Sequence, residues 1–110
     1  RFVTMLLSDL FGIQTRAGCS CAGPHGIKLL GVRKSSEFYS INMALGKDGD
    51  ESMTSVKGGW CRLNLHYTFS ETNVWYLKQA LSFVARHGWK FLSLYSFDMV
   101  NGAWKFNPPA

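Results

Sequence analysis

The stretch WCRLNLHYTFSETNVWYLKQALSFVARH, Trp60 to His87, decides the fold class because two periodicities meet inside it. Cys61, Leu63, Leu65, Tyr67 and Phe69 alternate with Arg62, Asn64, His66 and Thr68, the period-2 pattern of a half-buried strand over Trp60 to Phe69. From Val74 onward the spacing changes. Leu77, Leu81 and Val84 continue an i, i+3, i+4 stripe that Tyr76, Ala80 and Phe83 widen, which predicts a helix over Glu71 to His87. Ser70 stands at its N-cap and Glu71 near the positive end of its dipole. Arg86 and His87 suit the negative end, and Gly88 is expected to close it.

Working outward, Phe2, Val3, Leu6, Leu7, Leu10 and Phe11 form a second helical stripe that Gly12 terminates. A helix bearing such a stripe needs a partner surface, and its place at the start predicts that the chain is a piece of a longer protein. Ile13 to Arg16 alternates as a short strand, and Ala17 to Gly26, all small residues, Gly and Pro with one His, reads as a loop. After the apolar run Ile27 to Val32, a helix is expected over Ser36 to Leu45, capped by Ser35 or Ser36. Gly46 to Gly59 reads as an exposed loop. Trp89 to Phe97 and Ala103 to Phe106 flank Asp98 to Gly102, where Asn101-Gly102 signals a hairpin turn. This order predicts an α+β fold, a small antiparallel sheet with helices packed on it, in one domain spanning residues 1 to 110.

Composition narrows the function classes. With 46% hydrophobic and 15% aromatic residues, the chain is not a disordered tail, and no apolar run is long enough for a membrane helix. The net charge of +5 is spread along the chain, without a basic stripe or a glycine-rich phosphate cradle, which argues against nucleic-acid binding. Three cysteines, Cys19, Cys21 and Cys61, do not make a disulfide framework. Free thiols are the expectation, and with them a reducing, intracellular compartment, with cytoplasmic expected ahead of organellar.

Chemistry concentrates in Arg16-Ala-Gly-Cys-Ser-Cys-Ala-Gly-Pro-His25. A cysteine among such small neighbours can be approached closely, and a nearby Arg16 or His25 favours its thiolate. The plainer reading is a glycine-rich turn that tolerates small residues. Cys19, Cys21 and His25, with Cys61 or His66, supply enough ligand types for zinc, but the C-x-C spacing is poorly suited to tetrahedral chelation. His66 and His87 read most simply as surface residues.

The segment LLSDLFGIQTRAGCSCAGPHG, Leu6 to Gly26, resembles the C-terminal domain of the class V aminotransferase family, pyridoxal-phosphate enzymes that include the cysteine desulfurases. Gly59-Trp-Cys-Arg-Leu-Asn64 resembles the family's arginine-bearing strand, the helix from Ser70 resembles the one that follows, and Trp89 to Phe106 is similar to tails in one branch. The resemblance implies the C-terminal small domain of a fold-type I pyridoxal-phosphate enzyme. Arg16, Gly18, Cys21, Ala22 and Pro24 match the Arg-x-Gly-x-x-Cys-Ala-x-Pro loop of group II desulfurases, which implies Cys21 as the persulfide-forming nucleophile. Cys19 departs from the histidine usual at its position.

Arg62 matches the arginine that pairs with the α-carboxylate of an amino-acid substrate, and Arg16 is a second candidate for substrate contact. A guanidinium fork suits a carboxylate through two parallel charge-assisted hydrogen bonds. The resemblance further implies that pyridoxal phosphate is held by a large domain absent from this sequence, that the full-length protein is a homodimer, and that this chain alone is not active. None of Lys28, Lys34, Lys47, Lys57, Lys78, Lys90 and Lys105 lies in a setting like the family's cofactor motif. The alternative is a non-catalytic binding or interaction module that keeps the fold only.

Overall fold

The computed structural model describes residues 1–18, 23–33, 35–37, 39–40 and 58–109. Along the chain come α1 (Phe2–Phe11), β1 (Arg16–Gly18), α2 (Gly23–Leu29), β2 (Trp60–Arg62), α3 (Glu71–His87), a 3₁₀ helix (Gly88–Leu94), β3 (Tyr95–Phe97) and β4 (Trp104–Phe106). β1 pairs with β2 and β3 with β4, so the fold is mixed α/β with two short antiparallel sheets. The single sheet expected from the sequence is thus divided in two. The chain forms two compact units: Arg1–Arg16, Cys61–Ser96 and Trp104–Ala110 in the first, Ala17–Trp60 and Phe97–Ala103 in the second.

The first unit is organised by α1 and α3. Leu6, Leu7, Ile13, Ala80 and Val84 are buried, and Phe2, Phe11, Leu63, Leu77, Phe91 and Tyr95 pack around them. Phe11, at the end of α1, meets Tyr76 and Phe83, whereas Leu6, further back, lies against Gly88 just past α3; the helices therefore run antiparallel. The stripe of α1 finds its partner surface here. Its end is as expected: Gly12 adopts φ 66°, its N–H donates to Ser8 O at 2.9 Å, and Ile13 N–H reaches back to Leu7 O at 3.0 Å. The Gly12 bond to Ser8 is that of the αL cap, and Ile13 follows it into the core beside Leu7.

α3 starts where the sequence placed it. Ser70 Oγ accepts from Asn73 N–H at 3.2 Å, and Asn73 Oδ1 accepts from Ser70 N–H at 3.0 Å, a reciprocal capping box. Its end differs. Gly88 keeps right-handed helical angles, φ −56° and ψ −36°, and the chain tightens into the 3₁₀ helix instead of stopping. Gly88 serves proximity, since a Cβ there would meet Leu6 Cδ1 at 3.1 Å and Val84 Cγ1 at 3.3 Å.

Three further expectations are corrected. The strand over Trp60 to Phe69 ends at Arg62, because the alternating residues that follow have no strand or layer to face: Tyr67 is 92% exposed and Leu65 65%. A turn then closes with Phe69 N–H on His66 O at 3.0 Å, and Thr68 holds His66 Nδ1 at 2.7 Å. The strand expected over Ile13 to Arg16 begins only at Arg16, since Ile13 is committed to the helix end. The small-residue segment Ala17 to Gly26 is not all loop: β1 extends to Gly18 and α2 starts at Gly23, with Pro24 in a first turn where its missing N–H costs nothing.

In the second unit, α2 sits on the Trp60 ring so closely that a Cβ on Gly26 would lie 2.5 Å from it. Ser36 caps as expected, its Oγ accepting from Tyr39 N–H at 3.2 Å, and Glu37, Tyr39 and Ser40 are helical. The rest of the helix expected to Leu45, and the Gly46 to Gly59 loop up to residue 57, lie outside the described residues. The expected turn is present between β3 and β4: Asp98 Oδ1 accepts from Val100 N–H at 2.8 Å, Asn101 Nδ2 donates to Asp98 Oδ2 at 2.8 Å, and Gly102 has φ 67°.

Two predictions follow from the first unit. Ser70→Ala removes the cap acceptor and should lower stability by about 1 kcal/mol, read as a shift in the urea midpoint at unchanged slope. Tyr95 Oη donates to Asp9 Oδ2 at 2.8 Å, and burial, then the Asp9 hydrogen bond and charge, push its pKa up to about 12. Folding therefore favours the neutral phenol. This contribution is complete below the unfolded value of about 10 and is lost as pH rises from there through about 12. Tyr95→Phe should flatten the stability profile over that range in pH-resolved denaturant titrations.

Candidate functional site

The described residues bring two of the three candidate site residues together. Arg16 opens β1 and Arg62 closes β2, so antiparallel pairing sets both at the same end of one two-stranded ribbon. Both residues are exposed, and neither pairs with a carboxylate among the described residues. Two permanently charged guanidiniums at one ribbon end make a local positive field that an anion relieves, and their forked donors match a carboxylate.

The local sequence explains how the ribbon is held. Arg16 follows Ile13 by three residues, and Ile13 is fixed by the helix-ending motif of α1. Arg62 precedes Leu63, which packs against the core. At the other end, Gly18 has φ 114° and Gly59 approaches it so closely that a Cβ on Gly59 would meet Gly18 C at 2.9 Å and O at 3.0 Å. These two glycines let the backbones touch. The sequence offers Gly18 and Gly59 only as members of motifs, Gly59 also as the end of a loop; their steric role depends on a contact between distant segments. Beside Arg16, Thr15 Oγ1 is buried with no hydrogen-bond partner among the described residues.

The remaining candidates are placed differently. Cys21, with Cys19, Ser20 and Ala22, lies outside the described residues; β1 ends just before this stretch and α2 begins just after it. His25 is exposed on α2. Cys61 is a free, exposed thiol whose sulfur accepts from Thr4 Oγ1 at 3.7 Å. His66 Nδ1 is taken up by Thr68, and no group of three potential metal ligands occurs among the described residues.

A Schiff-base lysine needs a desolvated or cation-flanked pocket that frees its amine for attack. Lys28, Lys78, Lys90 and Lys105 are all exposed, so none of the described lysines fits that task, and no step through pyridoxal phosphate is assigned to them. No helix among the described residues is long and apolar enough to cross a membrane.

No family model, curated protein or solved structure matches the chain.

Because Gly59 meets backbone rather than a movable side chain, Gly59→Ala should force the β1 and β2 backbones apart at a cost of about 1–3 kcal/mol. Faster amide exchange at Ala17 and Cys61 than in the parent chain, with protection of α3 unchanged, is the expected signature in hydrogen-exchange mass spectrometry.

Proposed function

We propose that this chain is the C-terminal small domain of a pyridoxal-phosphate-dependent enzyme of the class V aminotransferase type, similar to cysteine desulfurases. Its part is to bind the α-carboxylate of an amino-acid substrate. The observation that carries the reading is the meeting of Arg16 and Arg62 at one ribbon end, exposed and without a described acidic partner. Motif resemblance selected both residues from sequence segments more than forty positions apart. The ribbon joins them independently of that resemblance.

In this reading Arg62 donates two parallel hydrogen bonds to the carboxylate, and Arg16 adds a second cation that favours the bound anion. The cofactor supplies the electron sink for chemistry at the substrate's α-carbon and belongs to a large domain of the same protein. Cys21 is the proposed nucleophile for a sulfur-bearing substrate. A full-length homodimer remains part of the proposal.

The decisive experiment uses the complete polypeptide that carries this sequence. Borohydride reduction, digestion and mass spectrometry should find a pyridoxyl-lysine in the same polypeptide, outside residues 1–110. A complete polypeptide with no adduct overturns the enzyme reading in favour of the binding module. In the active protein, Arg62→Ala should raise KM for the amino acid by about ten- to a hundredfold, because a hydrogen bond to a charged group is worth about 1.5–3 kcal/mol. An unchanged KM removes Arg62 from the site.

A further inference from the structure

Asn101, in the hairpin turn, is followed by glycine, whereas Asn42, Asn64, Asn73 and Asn107 precede Met, Leu, Val and Pro. The main-chain nitrogen after an asparagine can attack its side-chain amide, and glycine, with no Cβ, hinders that attack least. In the folded turn each group of this reaction is held. Gly102 is buried, and its N–H, the nucleophile, donates to Asp98 O at 2.8 Å. The amide under attack is fixed on both sides: Asn101 Oδ1 accepts from Ala103 N–H at 2.8 Å, and Asn101 Nδ2 donates to Asp98 Oδ2 at 2.8 Å. Asp98 Oδ1 ties down the chain between them, accepting from Val100 N–H at 2.8 Å and from Asn101 N–H at 3.3 Å. One carboxylate thus closes the turn in which the attack must start.

We propose that Asn101 is a deamidation site that the folded turn keeps shut and that reacts one way once the turn opens. In the open turn Gly102 N bonds to Asn101 Cγ and gives up its proton, the Cγ–Nδ2 bond breaks, and ammonia leaves with that proton. Water then opens the five-membered imide at either carbonyl, leaving aspartate or isoaspartate at position 101, with no atom oxidised or reduced. Neither product rebuilds the turn. Aspartate sets a carboxylate where Nδ2 faced Asp98 Oδ2, like charge against like in place of a hydrogen bond. Isoaspartate adds a methylene to the main chain of a turn whose closing bond, Gly102 N–H to Asp98 O, is only 2.8 Å long.

Incubating the 110-residue chain in mildly alkaline buffer, with and without urea, and mapping its peptides by mass spectrometry tests this. Asn101 should convert at least about tenfold more slowly in the folded chain than in urea, the factor that an opening cost of about 1.4 kcal/mol supplies. Asp98→Ala should bring the folded-state rate toward the urea rate and leave the urea rate unchanged, with circular dichroism showing the helix content retained. Asn101→Asp, which has one product's side chain without any reaction, should speed amide exchange at Asp98 and Gly102 while protection of α3 stays as in the parent chain. Equal rates with and without urea overturn the proposal, as does a folded-state rate that Asp98→Ala leaves unchanged. A chain that keeps Asn101 intact in urea has no such site. Parent-like exchange at Asp98 and Gly102 in Asn101→Asp overturns the one-way step.

Discussion

The antiparallel seat of α1 on α3 is the constraint from which the first unit is built. It is tight because its closest point is a glycine: Gly88 admits Leu6 and Val84 where any Cβ would crowd them. Fully burying each of Leu6 and Leu7 there is worth about 1.5–3 kcal/mol. The ends of the two helices then fix the ribbon. The αL cap after α1 turns Ile13 into the core and delivers the chain to Arg16 three residues later. Leu63 is held by the same core and anchors the end of β2 at Arg62. Neither arginine is itself buried, yet both are placed by residues that are.

Helix ends were legible in the sequence where their chemistry is local. Ser70 and Gly12 could be placed because a cap is settled by the few residues around it. Gly88 could not, because its reason lies in Leu6, on another helix. Strand lengths failed for a related cause. The alternation over Trp60 to Phe69 states which side would be apolar if a neighbour existed, and only the first three residues have one. Past Arg62 the same pattern runs into a turn with Tyr67 in solvent. Small residues misled in the other direction: Gly and Pro between Ala17 and Gly26 looked incompatible with regular structure, although Pro24 suits a first helical turn and Gly26 lets α2 close on Trp60.

The candidate site divides along the same line. Arg16 and Arg62 were each readable from motifs, but their meeting at one ribbon end was not, because it depends on β1 finding β2 across a separation that no local pattern encodes. Gly18 and Gly59 make that meeting possible. The role of Cys21 rests on the motif alone.

Charge gives the ribbon end its character. The first unit carries seven Lys and Arg residues against two acids, the whole of the chain's net +5, while the second unit is neutral in balance. Of those two acids, Asp9 accepts from Tyr95 and Glu71 opens α3 at its positive end. Among the described residues neither of them pairs with Arg16 or Arg62. A field of one sign raises the local concentration of small anions before any hydrogen bond forms, which is the setting that the proposed carboxylate site would use.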